Sequence, residues 1–290
     1  MSELVSVIIP VYNASPFLKD SIESVITQTY SNIEIICIND GSTDNSLQIL
    51  KSFSDKITII SQENQGLAFS LNVGIKKMKG KWFKWFSPDD VMFANTIETL
   101  VNSGEKLHNT IIYSDWELID EKNNQLRSFE ESNYNDLSNF EYNVRLLDRQ
   151  LINVNTTLIP SSLLQKCSIR DLDDPVAIDY DLFLNAALLF NTKFHLIQKS
   201  LIKYRIHNKQ LSHQSITKTL DYISKIKNEI LQNLDESSRN EYISKLEKYQ
   251  KTKSVKTKTM EFGMKLFSFM PSWASDRILI FYLNKIRQNR

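Results

Sequence analysis

Short apolar runs alternate with longer amphipathic segments along the first hundred residues of the chain. Four β-branched or aromatic runs predict strands, at residues 4–10, 33–38, 57–61 and 82–86. The segments between them repeat apolar side chains at helical spacing, which predicts helices over residues 15–28, around 47–53 and over 66–78. Strands that alternate with helices are typical of a parallel sheet covered on both faces. We therefore expect an α/β fold with a Rossmann-like, mostly parallel sheet flanked by helices.

The pattern changes in the second half of the chain. Residues 111–116 and 157–159 predict further strands, residues 179–190 a helix, and residues 194–206 one strand or two. Residues 117–150 are polar and weakly periodic, so we expect a loop-rich insertion there. After residue 212, apolar positions return at helical spacing and predict two amphipathic helices. We accordingly divide the chain into an α/β domain, residues 1–212, and a helical extension, residues 213–290.

Composition narrows the class of protein. Hydrophobic residues make up 41% of the 290 residues, which supports a packed core and excludes a disordered chain. The 35 basic and 34 acidic side chains nearly cancel, so we expect no nucleic-acid partner. Residues 1–215 carry 20 basic and 26 acidic side chains, whereas residues 216–290 carry 15 and 8. The extension is therefore the basic part of the chain.

The N-terminus, the apolar runs and the two cysteines indicate in which cellular compartment the protein is expected. The N-terminus lacks the features of a secretory signal, and no apolar run approaches the roughly 20 residues of a membrane-spanning helix. We expect a cytoplasmic protein, with a peripheral place at the inner face of the cell membrane left open. Cys37 and Cys167 are too few for a disulfide framework, and we expect reduced thiols without a metal or catalytic role.

An acidic pair follows the fourth predicted strand. Asp89 and Asp90 stand directly after Pro88, at the carboxyl edge of the expected sheet, where ligands bind in open α/β folds. Adjacent carboxylates there could present oxygen ligands to Mg²⁺ or Mn²⁺. A Ser-Pro-Asp-Asp helix start would produce the same residues, because aspartate in a first turn is favoured by the helix dipole.

Two further acidic positions are open to a functional and a structural interpretation. Asp40 ends the second predicted strand beside Gly41, and could accept hydrogen bonds from a base or ribose, or simply cap a strand-to-helix turn. Asp179 and Asp181 begin an amphipathic helix. A part-buried carboxylate there could act as a general base, and N-terminal capping is the competing explanation.

A basic pair lies at the end of the last predicted strand. Arg205 and His207 alternate with Tyr204 and Ile206, so both would point to one side of a strand. They could meet a diphosphate or a metal together. An ordinary surface pair is the alternative.

Taken together, these segments resemble a known family. In chain order they read VSVIIPVYNAS, SIESVITQTYSNIEIICINDGSTDNS, ENQGLAFSLNVGI, KWFSPDDV, IDYDLFLNAAL and YRIHNKQLS. They resemble the inverting family-two glycosyltransferases of the GT-A fold over about residues 4–212. The turn after the first strand, Val-Tyr-Asn-Ala-Ser, lacks the glycine fingerprint of dinucleotide-binding folds, so NAD binding is not expected.

The resemblance implies a nucleotide-diphosphate sugar as donor, most often a UDP-sugar, and a hydroxyl of a glycan or lipid-linked molecule as acceptor, as in surface polysaccharide synthesis. It implies that Asp179 is the catalytic base, and that Asp89 with His207 holds Mn²⁺ or Mg²⁺. It also implies that Arg205 and His207 close over the diphosphate. The positions that it implies for nucleotide binding are Pro10, Tyr12, Asn13, Asp40, Asn64, Pro88 and Asp90.

Three positions depart from the family's usual pattern. Ser87 stands where relatives commonly have a metal-site carboxylate, Asn39 replaces a frequent aspartate, and Leu71 stands where many members have an arginine. Mg²⁺ often uses only one or two protein carboxylates, so the cation site can survive the loss. Two alternatives to an active enzyme remain: a binding module of the same fold that has lost catalysis, and an unrelated α/β nucleotide-binding or scaffold protein.

The last part of the chain interleaves aromatic and basic residues between positions 256 and 287. Such a segment suits a helix that lies on an anionic membrane surface, as expected if the acceptor is lipid-linked. A helical subdomain that packs on the catalytic core, or on a second subunit in a homo-oligomer, is the alternative.

Overall fold

A computed structural model describes residues 2–172, 175–207, 210 and 216–254. The strands are β1 (Val5–Val11), β2 (Ile33–Asp40), β3 (Thr58–Gln62), β4 (Trp82–Trp85), β5 (Val91–Met92), β6 (Thr110–Ile119), β7 (Gln125–Phe129), β8 (Ile159–Pro160) and β9 (Lys193–Arg205). The helices are α1 (Leu18–Ile26), α2 (Ser46–Lys51), α3 (Leu67–Lys77), α4 (Thr96–Gly104), α5 (Asn139–Asp148), α6 (Ser161–Leu164), α7 (Ile178–Leu189), α8 (Ile216–Gln232) and α9 (Glu236–Thr252).

The larger sheet is mostly parallel. Its strand order is β3-β2-β1-β4-β8, with β1, β2, β3 and β4 parallel and β8 antiparallel at one edge. Strand β1 lies in the middle, and all seven of its residues are buried. Since parallel strands end at the same edge, the residues after β1, β2 and β4 come together there.

Pro10 determines where strands β1 and β4 separate. The β1–β4 ladder ends with the Phe86 N–H donating to the Ile8 carbonyl, at 3.0 Å. Pro10, the next residue of β1 that would bond on this side, has no N–H to donate. The segment after β4, residues 86–90, therefore leaves the sheet at this point.

A second sheet brings the end of the chain's long strand to the same edge. Its order is β5-β9-β6-β7, with β6 and β9 parallel and the outer pairs antiparallel. Strand β5 follows Asp90 directly and pairs Val91 with Lys203 of β9. Residues 203–207 consequently run beside the acidic pair.

The expected α/β architecture with a mostly parallel sheet is confirmed, and some local predictions are wrong. Residues 117–150 are not mainly loop, because they contain β7 and α5, and α5 begins with a capping box formed by Ser138 and Glu141. The hydrophobic pattern also gave no indication of α4 and β5. Helix α1 begins at Leu18, three residues after the predicted start, whereas β9 is a single strand, one of the two predicted alternatives.

The helices after residue 215 pack on the α/β part. Ile226 and Ile230 of α8 are buried against α7 and join the main hydrophobic core. Helix α9 lies on α5, where Tyr242 stacks on Phe140 with ring centroids 4.5 Å apart. The basic aromatic segment at 256–287 lies outside the described residues. Among the residues that are described, no helix is long and apolar enough to cross a bilayer.

Candidate active site

The segment after β4 is fixed by one amide side chain that the sequence pattern did not indicate. The Ser87 N–H donates to Asn155 Oδ1 at 2.8 Å, and Asn155 Nδ2 donates to Asp90 Oδ2 at 2.7 Å. Asn155 lies in a 3₁₀ turn, Val154–Thr156, and is itself buried. Residues 87–90, including the half-buried Pro88, are thereby held against the core.

Asp90 is enclosed by protein on all sides. Its Oδ1 accepts a hydrogen bond from the Arg205 N–H at 2.8 Å, and Oδ2 accepts one from Asn155 Nδ2. Burial, together with the adjacent Asp89 carboxylate, raises the pKa of Asp90 well above its usual value. Asp90 therefore anchors the segment in this conformation, and its contact with a nucleotide stays a prediction.

Asp89 meets His207 across a sequence separation of 118 residues. Asp89 Oδ2 lies 3.0 Å from His207 Nε2, and the two side chains are 23% and 12% exposed. The His207 ring packs on Phe17, with ring centroids 4.9 Å apart. The structure thus brings together the two side chains that were predicted as metal ligands, and leaves both partly open.

Arg205 is fully buried, and its guanidinium contacts backbone carbonyls. Nε donates to the Asp89 carbonyl at 2.8 Å, and Nη1 donates to the Asp120 carbonyl at 3.2 Å. The guanidinium also lies 4.7 Å from the centre of the Phe17 ring and pairs with Asp20 at 3.5 Å. In this conformation Arg205 holds the backbone of Asp89 in place, and its contact with a diphosphate stays a prediction.

Asp40 is buried at the end of β2 and bonded to the turn that precedes α3. Oδ1 accepts from Gln62 Nε2 at 2.7 Å and from the Gln65 N–H at 2.9 Å, while Oδ2 accepts from the Gly66 N–H at 2.9 Å. Next to it, Gly41 has a φ of +69°, and a Cβ there would lie 2.7 Å from the Asn64 nitrogen. Only glycine allows this approach, which places the exposed Asn64 beside the edge.

Tyr12 and Asn13 form the turn after β1. The Tyr12 side chain is 51% exposed, which is unusual for a large aromatic residue at the end of a buried strand. Asn13 adopts a φ of 49°, and its Oδ1 accepts from the Thr43 N–H at 2.8 Å and from the Asp44 N–H at 3.3 Å. These bonds fix the turn and leave the Tyr12 ring free of the core.

The two aspartates at the start of α7 have different surroundings. Asp181 is buried and bonded to Arg170, which also pairs with Glu229 of α8. Asp179 accepts the Tyr180 N–H at 2.7 Å and Gln150 Nε2 at 3.1 Å, and among the described residues no basic side chain pairs with it. Burial raises the pKa of Asp179 to about 6. Asp179 is thus suited to proton transfer near neutral pH, whereas Asp181 links helices.

One short stretch of chain connects Asp179 with the acidic pair. Gln150 bonds Asp179, and Asn155 bonds Asp90, five residues further along. A five-residue segment spans at most about 18 Å even when extended. This stretch therefore ties the surroundings of the candidate base to the segment that carries Asp89.

Of the three departures from the family pattern, two are explained by packing. Asn39 is buried and bonds Ser61 Oγ at 3.4 Å, and Leu71 is fully buried in the core between α3 and the sheet.

Cys37 and Cys167 are free and buried, and burial raises the pKa of each thiol to about 12.

Residues 6–167 match the sequence family described as glycosyl transferase family 2. The chain belongs to this family. An uncharacterized glycosyltransferase of Rickettsia prowazekii is 40% identical over 223 residues, which cover 76% of this chain and 70% of that protein. Another from Rickettsia felis is 40% identical over 211 residues, and there the match covers 71% of this chain and 35% of the relative's length. The Streptococcus pneumoniae glycosyltransferase GlyG is 38% identical over 125 residues, 42% of each protein.

Solved structures of Staphylococcus aureus TarS share the family-2 fold. TarS residues 1–349 in complex with UDP match with a TM-score of 0.64 at 14% identity, over 92% of this chain and 80% of that chain. The complex with UDP-GlcNAc gives a TM-score of 0.63 at 16% identity, over 84% and 71%. At this identity the likeness establishes the fold, and the expected GT-A architecture is confirmed.

Proposed function

We propose that this family-2 glycosyltransferase moves a sugar from a UDP-sugar to a hydroxyl of a glycan or lipid-linked acceptor, with inversion at the anomeric carbon. The main observation in support is the contact of Asp89 with His207 at the carboxyl edge of the sheet. It unites an oxygen and a nitrogen ligand at the place where open α/β sheets bind nucleotides. The UDP-bound relatives of the same fold support the choice of nucleotide.

The residues at this edge fit a divalent cation that is shared with the donor. The described part of the chain has no group of three or more acidic, histidine or cysteine side chains that could hold a metal alone. Asp89 and His207 supply two ligands, and Mg²⁺ commonly completes its shell with substrate phosphates and water. Mn²⁺ accepts the same oxygen ligands, and imidazole suits softer divalent metals. When bound, such a cation stabilises the negative charge of the departing diphosphate.

The nucleoside would bind between the turns after β1 and β2. The exposed Tyr12 ring offers a face on which the base can pack, and the Asp40 carboxylate accepts from donor groups of the base. Asp40 already accepts from Gln62, Gln65 and Gly66, which leaves one of the roughly four lone-pair directions of its carboxylate, at Oδ2, for a donor of the base.

Asp179 would act as the general base. Its pKa of about 6 keeps the carboxylate ionised at neutral pH and still basic enough to take a proton from the acceptor hydroxyl. The acceptor oxygen attacks the anomeric carbon from the face opposite the diphosphate, and the bond to the diphosphate oxygen breaks. A single carboxylate is sufficient for this inverting displacement.

A panel of nucleotide-sugars with and without Mn²⁺ tests the proposal, by thermal shift and by donor hydrolysis. We expect one UDP-sugar to raise the melting temperature of the wild type in the presence of Mn²⁺, and to be hydrolysed slowly. Asp89→Ala should lose the Mn²⁺-dependent part of the shift, while Asp55→Ala, at an exposed site, should keep it.

Failure of every nucleotide-sugar to shift the melting temperature would contradict the proposal. Donor binding without turnover on any acceptor would instead favour a binding module of the same fold.

A further inference from the structure

Gln150 is a hydrogen-bond partner of the candidate base that the proposed mechanism does not use. It follows α5 by two residues and belongs to the stretch that connects Asp179 with Asp90. Its Nε2 donates to Asp179 Oδ2 at 3.1 Å, and the other carboxylate oxygen, Oδ1, accepts the Tyr180 N–H at 2.7 Å. Each oxygen of Asp179 therefore has one donor that fixes its direction.

The amide of Gln150 can take only one orientation here. A carboxylate oxygen only accepts hydrogen bonds, so the amide nitrogen must face Asp179 and the amide oxygen must face away. This Oε1 is buried, and within the described part of the chain it has no hydrogen-bond partner. A buried acceptor without a donor is rare in native proteins and calls for an explanation.

We propose that Gln150 is a positioning residue that orients Asp179 with its amide nitrogen and accepts a hydrogen bond from a substrate hydroxyl with its amide oxygen. The inference rests on the proposed role of Asp179 as the base. The substrate chemistry follows from the atom: Oε1 needs a donor, and the hydroxyl groups of a sugar supply donors at the place where the acceptor proton is taken. The amide then holds base and substrate in one geometry.

Substitutions at position 150 should move the titration of Asp179 in opposite directions. Gln150→Met keeps the length of the side chain and removes the donor, so the charged form of Asp179 loses a hydrogen bond and the pKa rises, by about one unit. Gln150→Lys keeps a donor and adds a positive charge, so the pKa falls. Gln165→Met makes the same chemical change at an exposed position and should leave the titration unchanged.

The titration is measured directly by carbon NMR on protein with labelled aspartate carboxyls, with the Asp179 signal assigned through Asp179→Asn. In parallel, the acid limb of the pH–rate profile should move up in Gln150→Met and down in Gln150→Lys. We expect kcat of Gln150→Met to fall about tenfold with a raised acceptor KM, because both the orienting bond and the substrate bond are lost.

An Asp179 pKa that is the same in Gln150→Met as in the wild type would overturn the inference. So would an acceptor KM that stays at the wild-type value. The proposed function fails separately, if Asp179→Asn turns over at the wild-type rate. The NMR titration decides the role of Gln150 in that case as well, because it does not depend on turnover.

Discussion

At the scale of single residues, Asp90, Asp179 and Asp181 have the same side chain but different surroundings. Asp90 is enclosed between Asn155 and the Arg205 backbone, and Asp181 is paired with Arg170. Asp179 is bonded by neutral donors alone among the described residues, and its pKa is about 6. The surroundings of the first two residues give them structural contacts, and those of Asp179 suit the proton transfer that we propose for it.

The pKa of Asp179 sets the expected pH dependence. A general base must be ionised, so the transfer rate should rise with pH through about 6 and level off above it. Asp179→Asn should lower kcat by roughly 10²–10⁴-fold and leave the donor-induced thermal shift in place. Steady-state kinetics over pH 5–8 measures both.

Asp55→Asn is the matched control, since Asp55 is exposed, and it should behave as the wild type. A rate that is flat through pH 6, or an Asp179→Asn variant that is fully active, would rule out this carboxylate as the base.

Sequence reasoning predicted the charged residues of the candidate site and missed two amides, Gln150 and Asn155. Asp89, His207 and Asp179 each follow a predicted strand or begin a predicted helix, so their positions in the fold could be inferred. Gln150 and Asn155 lie in a stretch without periodicity, and nothing in their neighbourhood distinguishes them from ordinary loop residues. Their roles depend on long-range contacts that appear only once the chain is folded.

At the scale of secondary-structure elements, predictions succeeded where burial produces a clear pattern of residue types. The buried parallel strands β1 and β2 are rich in valine and isoleucine, and both were predicted within a residue or two. Helix α5 was missed because charged and polar side chains interrupt its apolar face, although Ser138 and Glu141 form a capping-box signature that a closer reading would have used. Strand β5 has only two residues, too few to show any period.

The 3₁₀ turn that holds the β4–β5 connection should be essential for stability. Asn155→Ala removes the donor to Asp90 and the acceptor for Ser87, which leaves buried polar groups without partners. We expect a loss of about 2–4 kcal/mol in the free energy of unfolding, measured by urea denaturation.

Asn133→Ala serves as the comparison for this variant, because Asn133 is exposed and its hydrogen bonds, to Gln198 Oε1 and from the Asn135 N–H, lie at the surface. Its change should stay within about 0.5 kcal/mol. If the two variants were equally stable, Asn155 would not be the residue that holds the β4–β5 connection in place.

At the scale of the whole molecule, the helical extension begins as part of the core and continues into a basic segment. Helix α8 contributes Ile226 and Ile230 to the main core, and α9 is tied to α5 by Lys253 and Asp148. The net positive charge of residues 216–290 lies beyond a folded α/β part of net negative charge. We propose that the basic segment brings the α/β part to an anionic membrane surface.

Vesicle flotation tests this arrangement. The full chain should float with vesicles that contain anionic lipid, and a truncation after residue 253 should not, because it lacks the aromatic and basic residues that would bind the headgroups. Neutral vesicles are the control for charge, and should bind the full chain more weakly.

Equal flotation of the full chain and the truncation would remove the membrane proposal. It would favour a segment that packs on protein instead.

The bonds of Asp40 prepare the resting enzyme for its substrate. In the carboxylate that we propose recognises the base, Gln62, Gln65 and Gly66 fill three of the roughly four lone-pair directions, which leaves one at Oδ2. Because these bonds already fix the direction of the carboxylate, binding of the base does not have to order this side chain, and less of the binding energy is lost as entropy. Discrimination between nucleobases then depends on which of them presents a donor along this one direction.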